Sequence, residues 1–297
     1  MKRVATAAIL IPLVLLAVFR APNWIFTLLV AAVALLALSE YFEIAAGYGV
    51  EPFRFLGYVI TVTMFAVAFW AGSVPEVSAI AVLLALVLLF SFSPFVFLCA
   101  GMPRKEMRSA LPAAGFSYLG IAYVGFPLLT LVFLRMMPGG WFFVLFTLIV
   151  VWAGDTFAYY AGRAFGRLPF APRISPKKTW EGALASLAGS VVCAMLLTRL
   201  APHFSSGLAR IRLLTSPVSF VETPFWVVIA VAVIVNVAAQ AGDLLESLMK
   251  RGAGIKDSGR LLPGHGGVLD RIDALLFAAP VALLLFAGTL EKFLQMP

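Results

Sequence analysis

Nine long apolar runs, separated by short clusters of proline, glycine and charge, decide what this chain can fold into. They fall at about residues 4–19, 24–46, 56–71, 77–100, 115–134, 141–162, 180–199, 225–249 and 274–290. A helix needs roughly 20 predominantly apolar residues to cross the hydrocarbon core of a bilayer. With 62% hydrophobic and 12% charged residues, 297 residues cannot cover themselves with a water-compatible surface. The runs therefore predict an all-α, polytopic integral membrane protein with about nine transmembrane helices. Splitting or fusing one run changes the count to ten or eight.

A net charge of +8 raises the question of nucleic acid, but the basic residues do not form a soluble face. They lie in the short segments between the runs, as the preference of Lys and Arg for cytoplasmic loops requires. With the N-terminus in the cytoplasm, 16 Lys and Arg fall inside and 6 outside. That bias sets the expected orientation and leaves nucleic acid without a role. Met1-Lys2-Arg3 ahead of an apolar stretch resembles a signal peptide superficially. No small-residue cleavage site precedes a soluble domain, so it reads as the first retained helix. Cys99 and Cys193 both lie in apolar runs and read as packing residues. Glu40 and Glu43 close the second run one turn apart and read as a solvated helix end. No internal repeat is visible.

All five aspartates, Asp155, Asp243, Asp257, Asp270 and Asp273, lie in the second half of the chain. A charged carboxylate at a helix centre costs roughly 2.5–3.5 kcal/mol on insertion scales, so such residues face a polar cavity or an ion. The division expected is residues 1–110 as N-terminal helices of unassigned role. Residues 111–297 form the catalytic region, with cytoplasmic loops 162–179 and 250–273.

Two segments carry chemistry. In the first, Asp155, Thr156 and Tyr159 follow Gly154, and Asp155 and Tyr159 share a helix face at i, i+4. Beyond them, Ser175-Pro176-Lys177-Lys178-Thr179-Trp180-Glu181-Gly182 reads as a helix start, with Ser175 as cap and Pro176 at the first helical position. Lys177 and Lys178 would then sit at a helix N-terminus that already favours anions. In the second segment, Asp243, Glu246, Ser247 and Lys250 draw a polar stripe down one face of an apolar helix. A loop with six glycines follows, Gly252 to Gly267. Glycine lets backbone amides approach an anion, so Lys250, Arg251, Lys256, Arg260, Gly266, Gly267 and Arg271 are candidate phosphate contacts. Asp270 and Asp273, one turn apart, are hard oxygen donors suited to Mg²⁺. His265 reads either as an ordinary loop residue or as a member of a catalytic set with Asp243, Asp270, Asp273 and Lys250. Asp155 is a further candidate metal ligand.

The 27 residues Ser247–Asp273 contain Ser-Leu-Met-Lys-Arg, Lys-Asp-Ser-Gly and Leu-Pro-Gly-His-Gly-Gly-Val-Leu-Asp-Arg-Ile-Asp. This stretch resembles the signature of the phosphatidate cytidylyltransferase (CDP-diacylglycerol synthase) family, without departure. Gly154-Asp155-Thr156 and Ser175–Gly182 resemble that family's other characteristic stretch, while the first 110 residues match only in hydropathy. The resemblance implies a nucleotidyltransferase that moves CMP from CTP to phosphatidic acid in the bilayer, giving CDP-diacylglycerol and pyrophosphate with Mg²⁺. It also implies a monovalent cation such as K⁺ near the acids and a membrane-embedded homodimer. Asp243 and Asp270 would bind metal with Asp273 assisting. The setting implied is a bacterial cytoplasmic (inner) membrane with the site facing the cytoplasm.

The residues fit such chemistry on their own terms. A phosphate monoester attacking the α-phosphorus of CTP is already an anion, so no strong general base is needed. Charge neutralisation and placement dominate. A CTP-dependent lipid-alcohol kinase is the rival enzyme, and it releases CDP rather than pyrophosphate. A cation-coupled transporter with Asp243 as its ion site is the rival of another class. Transporters of that kind carry inverted repeats and broken helices in both halves, whereas every motif here lies in one half. The paired-acid helix of the CDP-alcohol phosphatidyltransferases is absent.

Overall fold

A computed structural model of the protein describes residues 2–73, 78–214, 220, 222–261 and 266–289. Among them each apolar run is a helical rod: α1 (Lys2–Arg20), α2 (Asn23–Gly47), α3 (Arg54–Ser73), α4 (Ala79–Gly101), then α5 (Met107–Gly120) running through a π-helical turn (Ile121–Gly125) into α6 (Phe126–Met136). There follow α7 (Gly140–Phe165), a hairpin of β1 (Pro169–Ala171) and β2 (Ser175–Thr179), α8 (Trp180–Arg210), α9 (Phe225–Gly252) and α10 (Leu269–Thr289). Among the described residues eight rods are long and apolar enough to cross a membrane; the apolar stretch Leu10–Arg20 of α1 is shorter. The protein is an all-α polytopic membrane protein.

Three boundaries differ from the sequence reading. The fifth rod begins at Met107 rather than near 115, with Pro112 inside it. The eighth helix runs eleven residues past Arg199, to Arg210, into what reads as loop. Ala201 and Ser205 explain this, since they continue a buried face at i, i+4. The largest difference lies in residues 175–179, where a strand replaces the expected first turn of a helix.

The chain divides into two compact units. The first takes Met1–Leu10, Ala21–Met136 and Leu248–Ile272. Its interior is aromatic: Phe42 meets Tyr58 edge-on at 5.6 Å, and Phe53 stacks on Phe97 at 6.2 Å. Leu38, Tyr41, Met64 and Ile121 are fully buried around them. By contrast α4 leaves Ile80, Leu83, Leu84, Val87 and Leu88 exposed, the apolar surface that lipid covers.

The second unit takes Ile11–Arg20, Met137–Ser247 and Asp273–Pro297. Phe143 and Phe146 of α7 close on Phe286 of α10 at 4.4 and 5.3 Å. Helix α7 lies tightly along α8, and small residues make that approach possible. A Cβ on Gly182 would stand 3.0 Å from the Ala158 carbonyl oxygen, and one on Gly189 would enter the Phe157 ring. Lipid tails are as apolar as leucine, so close backbone approach and interhelical hydrogen bonds hold such helices together. The hydrogen bonds are present: Asn236 donates to Ser186 at 3.0 Å and Ser190 at 2.7 Å, and Ser190 donates to the Val150 carbonyl at 2.6 Å.

Candidate active site

In the second unit the hairpin builds one wall of a cleft. Pro172, inside an Ala171–Ile174 turn closed by a 3.1 Å hydrogen bond, reverses the chain. The strands pair antiparallel, with Ala171 opposite Ser175 and Pro169 opposite Thr179. Thr179, not Ser175, caps α8, accepting the Gly182 N–H at 3.2 Å. Glu181 reaches back to accept the Leu168 N–H at 3.2 Å, which fastens the hairpin to the helix it precedes. Along the strand Ser175, Lys178 and Thr179 are half-buried while Pro176 and Lys177 are exposed. The lysines thus lie just ahead of the α8 N-terminus, as the sequence suggests, but on a strand instead of in the helix.

The cleft has a volume of about 600 Å³. Asp155, Tyr159 and Arg163 of α7, Lys177 and Lys178 of β2, and Gln240 and Asp243 of α9 line it. Asp155 and Tyr159 do share one face of α7, and Arg163 donates to the Tyr159 hydroxyl at 3.4 Å. The Lys178 ammonium pairs with Asp243 at 2.5 Å, the side chains being 27% and 32% exposed. Asp155 is exposed. Ser247 donates to Asp243 at 3.5 Å. Three lysine and arginine side chains and two carboxylates thus converge on a recess within the size range of small-ligand sites.

Helices α9 and α10 come together at Gly242, where a Cβ would stand 2.7 Å from the Asp273 carbonyl oxygen. Asp273 thereby faces α9. Its carboxyl feels the charges of Asp243 and Glu246. Glu246 is fully buried. Acids drawn together in an apolar bundle need cationic company, and Lys178 supplies part of it. Among the described residues no three Asp, Glu, His or Cys side chains form a ready-made metal cage. Mg²⁺ does not require one, since it is usually held by one or two carboxylates with water and substrate phosphates. Asp243 and Asp273 fit that donor set by chemistry.

The first unit holds the glycine-rich segment. Lys250 pairs with Asp270 at 2.5 Å, both nearly buried. Asp270 also accepts the N–H groups of Ser258 at 3.0 Å and Gly267 at 2.8 Å. Gly266 adopts φ +80°, and a Cβ there would stand 2.5 Å from the Asp270 carboxylate. The loop amides do bind anions, as the sequence suggests, but these anions are the protein's own carboxylates. Arg251, Lys256, Asp257, Arg260 and Arg271 are exposed, and Arg251 donates to the Ile255 carbonyl at 3.2 Å. His265 lies outside the described residues.

Sequence reasoning missed Glu40. It is not a solvated helix end: it is 8% exposed and accepts from Ser258 Oγ at 2.9 Å and from the N–H groups of Val268 and Leu269 at 2.9 and 2.8 Å. Glu43, one turn on, does behave as a solvated end, paired with Arg54 at 2.5 Å and 61% exposed. The available signal was the position of Glu40, seven residues short of the end of an apolar helix.

The sequence profile of the cytidylyltransferase family matches residues 1–288. A phosphatidate cytidylyltransferase of Pseudomonas aeruginosa is 35% identical over 294 residues, covering 97% of each chain. One of Haemophilus influenzae is 34% identical over 297 residues, covering 94% of this chain and 96% of its own. One of Brucella abortus (strain 2308) is 40% identical over 196 residues, and there the match spans 65% of this chain and 64% of the relative's length.

Proposed function

The chain belongs to the cytidylyltransferase family, and from that premise we propose that it transfers the cytidylyl group of CTP to phosphatidic acid, giving CDP-diacylglycerol and pyrophosphate. The observation that carries this reading is the cleft in which Lys177, Lys178 and Arg163 meet Asp155 and Asp243. Four phosphorus-bound groups of like charge, three on the nucleotide and one on the lipid, must be brought together in this reaction. Preorganised cations lower that barrier most. Lys177 and Lys178 are assigned to the triphosphate, beside the N-terminal end of α8, whose dipole favours anions. Arg251, Lys256, Arg260 and Arg271 are assigned to headgroup and pyrophosphate oxygens. His265 and Asp155 remain members of the proposed set.

Asp243 and Asp273 are assigned to Mg²⁺, with Asp270 as the third acid of the motif and K⁺ as a companion ion. When bound, Mg²⁺ would neutralise triphosphate oxygens and the leaving pyrophosphate. The chain's own residues do the rest. Lys178 holds Asp243 in place across the cleft, and Lys250 holds Asp270 within the loop. The lipid's phosphate monoester is the nucleophile and gives up no proton to a base. We place the protein in a bacterial cytoplasmic membrane as a homodimer, with the hairpin and loop 250–273 in the cytosol. The excess of Lys and Arg in those segments supports that orientation.

The test incubates detergent-purified protein with Mg²⁺ and CTP labelled at the α-phosphorus, with phosphatidic acid in one arm and a lipid alcohol such as diacylglycerol in the other. Lipid-extractable label with stoichiometric pyrophosphate is the expected result. Label recovered as CDP, with phosphate moved from the γ-position to a lipid alcohol, would make the protein a kinase instead.

A further inference from the structure

The Glu40 carboxylate joins parts of the chain that no motif connects. Oε1 accepts the Val268 N–H; Oε2 accepts the Leu269 N–H and the Ser258 hydroxyl. Ser258 passes the connection on. Its N–H reaches Asp270 at 3.0 Å, while its hydroxyl oxygen accepts the Asp270 N–H at 3.3 Å. Asp270 in turn holds the Lys250 ammonium. One side chain on α2 therefore fastens both ends of the segment 258–268 and the first turn of α10.

The loop is shaped around this carboxylate. A Cβ on Gly259 would stand 2.5 Å from Glu40 Oε1, and one on Gly267 would clash with both Ser258 Oγ and Glu40 Oε2. Two of the loop's glycines are thus needed by an acid more than two hundred residues earlier, independently of any phosphate. The first N–H groups of a helix lack partners within it, and a buried carboxylate is tolerated only when its oxygens are filled by donors. Glu40 and the start of α10 meet each other's requirement.

We infer that Glu40 is a positioning residue for the 250–273 loop, acting through Ser258 on Asp270 and Lys250 without touching substrate. The kinetic part of this inference rests on the cytidylyl-transfer reading; the structural part does not. Glu40→Gln keeps the shape but turns an N–H donor toward the Val268 N–H. Ser258→Ala removes the hydroxyl and leaves the two amide contacts to Glu40 in place.

The experiment measures amide hydrogen exchange of the purified full-length protein together with steady-state kinetics, for wild type, Glu40→Gln, Ser258→Ala and the double variant. In Glu40→Gln the amides of 258 and 267–269 exchange at least tenfold faster, while those of α3 and α7 keep wild-type protection. Turnover per folded molecule falls at least tenfold with KM for CTP changed less than threefold. The double variant is no slower than Glu40→Gln alone, because both act through one set of contacts. Wild-type protection of 258 and 267–269 in Glu40→Gln overturns the inference. So does a turnover loss that merely follows the folded fraction, or effects of the two substitutions that multiply. If the protein transfers no cytidylyl group at all, the exchange measurement still decides the role of Glu40.

Discussion

Replacing Lys178 with Met tests whether the cleft works by charge. The perturbation removes an ammonium 2.5 Å from Asp243 and keeps most of the side-chain volume. Two costs follow, of different size. In the ground state Asp243 loses its partner. Fully buried pairs cost about 3–5 kcal/mol when broken, and exposed ones contribute about 0.2–1 kcal/mol. With the two side chains 27% and 32% exposed, this pair falls between, at about 1–2 kcal/mol. That is too little to unfold a protein with several kcal/mol in hand. In the transition state a preorganised cationic donor is lost, which costs about 10²–10³ in rate, or about 2.7–4 kcal/mol. Activity should therefore fall far more than stability. The assay is lipid-extractable label from α-labelled CTP at saturating substrate, run beside a thermal melt. Lys178→Met is expected to fall about a hundredfold or more while its melting temperature drops only a few degrees. Lys178→Arg, which keeps the charge, is expected to stay within about tenfold. Lys178→Met activity within threefold of wild type would refute the assignment of this lysine to the phosphates.

Asp243→Asn is expected to reduce turnover at least about a hundredfold, the equivalent of losing several kcal/mol of charge stabilisation. Its size-exclusion profile should be unchanged, and near-normal activity there removes the metal assignment. Chelation by EDTA is expected to stop label transfer and excess Mg²⁺ to restore it; activity persisting in EDTA contradicts a divalent requirement. Gly189→Ala places a methyl inside the Phe157 ring position. It is expected to destabilise the protein by about 1–3 kcal/mol through overpacking, read as a lower melting temperature with turnover per folded molecule unchanged.

Hydropathy alone located every rod, because the bilayer demands about the same length and apolarity of each. What it could not locate were ends where the two criteria part. Residues 200–210 carry a proline, a histidine and two serines, yet remain helical because Ala201 and Ser205 bury the right face. The hairpin was hidden for the opposite reason. Ser175-Pro176 has the residue types of a helix start, but Pro172 and the Leu168–Glu181 and Leu168–Trp180 hydrogen bonds turn the chain first. Local propensity yielded to hydrogen bonds that span twelve and thirteen residues. That the lysines lie beside the α8 N-terminus was legible all the same, although the sequence put them in the helix and the fold puts them on the strand before it.

The two glutamates of α2 show where sequence reading stops. Glu40 and Glu43 share residue type, helix and helix end, and they differ by one turn. Glu43 finds Arg54 eleven residues on, within reach of any local argument. Glu40 finds Ser258, 218 residues on, and the amides of Val268 and Leu269 beyond it. No pattern of spacing links them, yet the pairing reassigns the loop's glycines. Read from sequence, Gly259 and Gly267 leave room for a substrate phosphate; in the fold they leave room for Glu40. The two readings differ in what substitution does. A glycine kept for phosphate tolerates a methyl in the resting protein and loses only affinity. A glycine kept for Glu40 loses loop order before any nucleotide is added. Gly267→Ala should therefore raise amide exchange at 258 and 267–269 in substrate-free protein, and unchanged exchange there would return Gly267 to the phosphate.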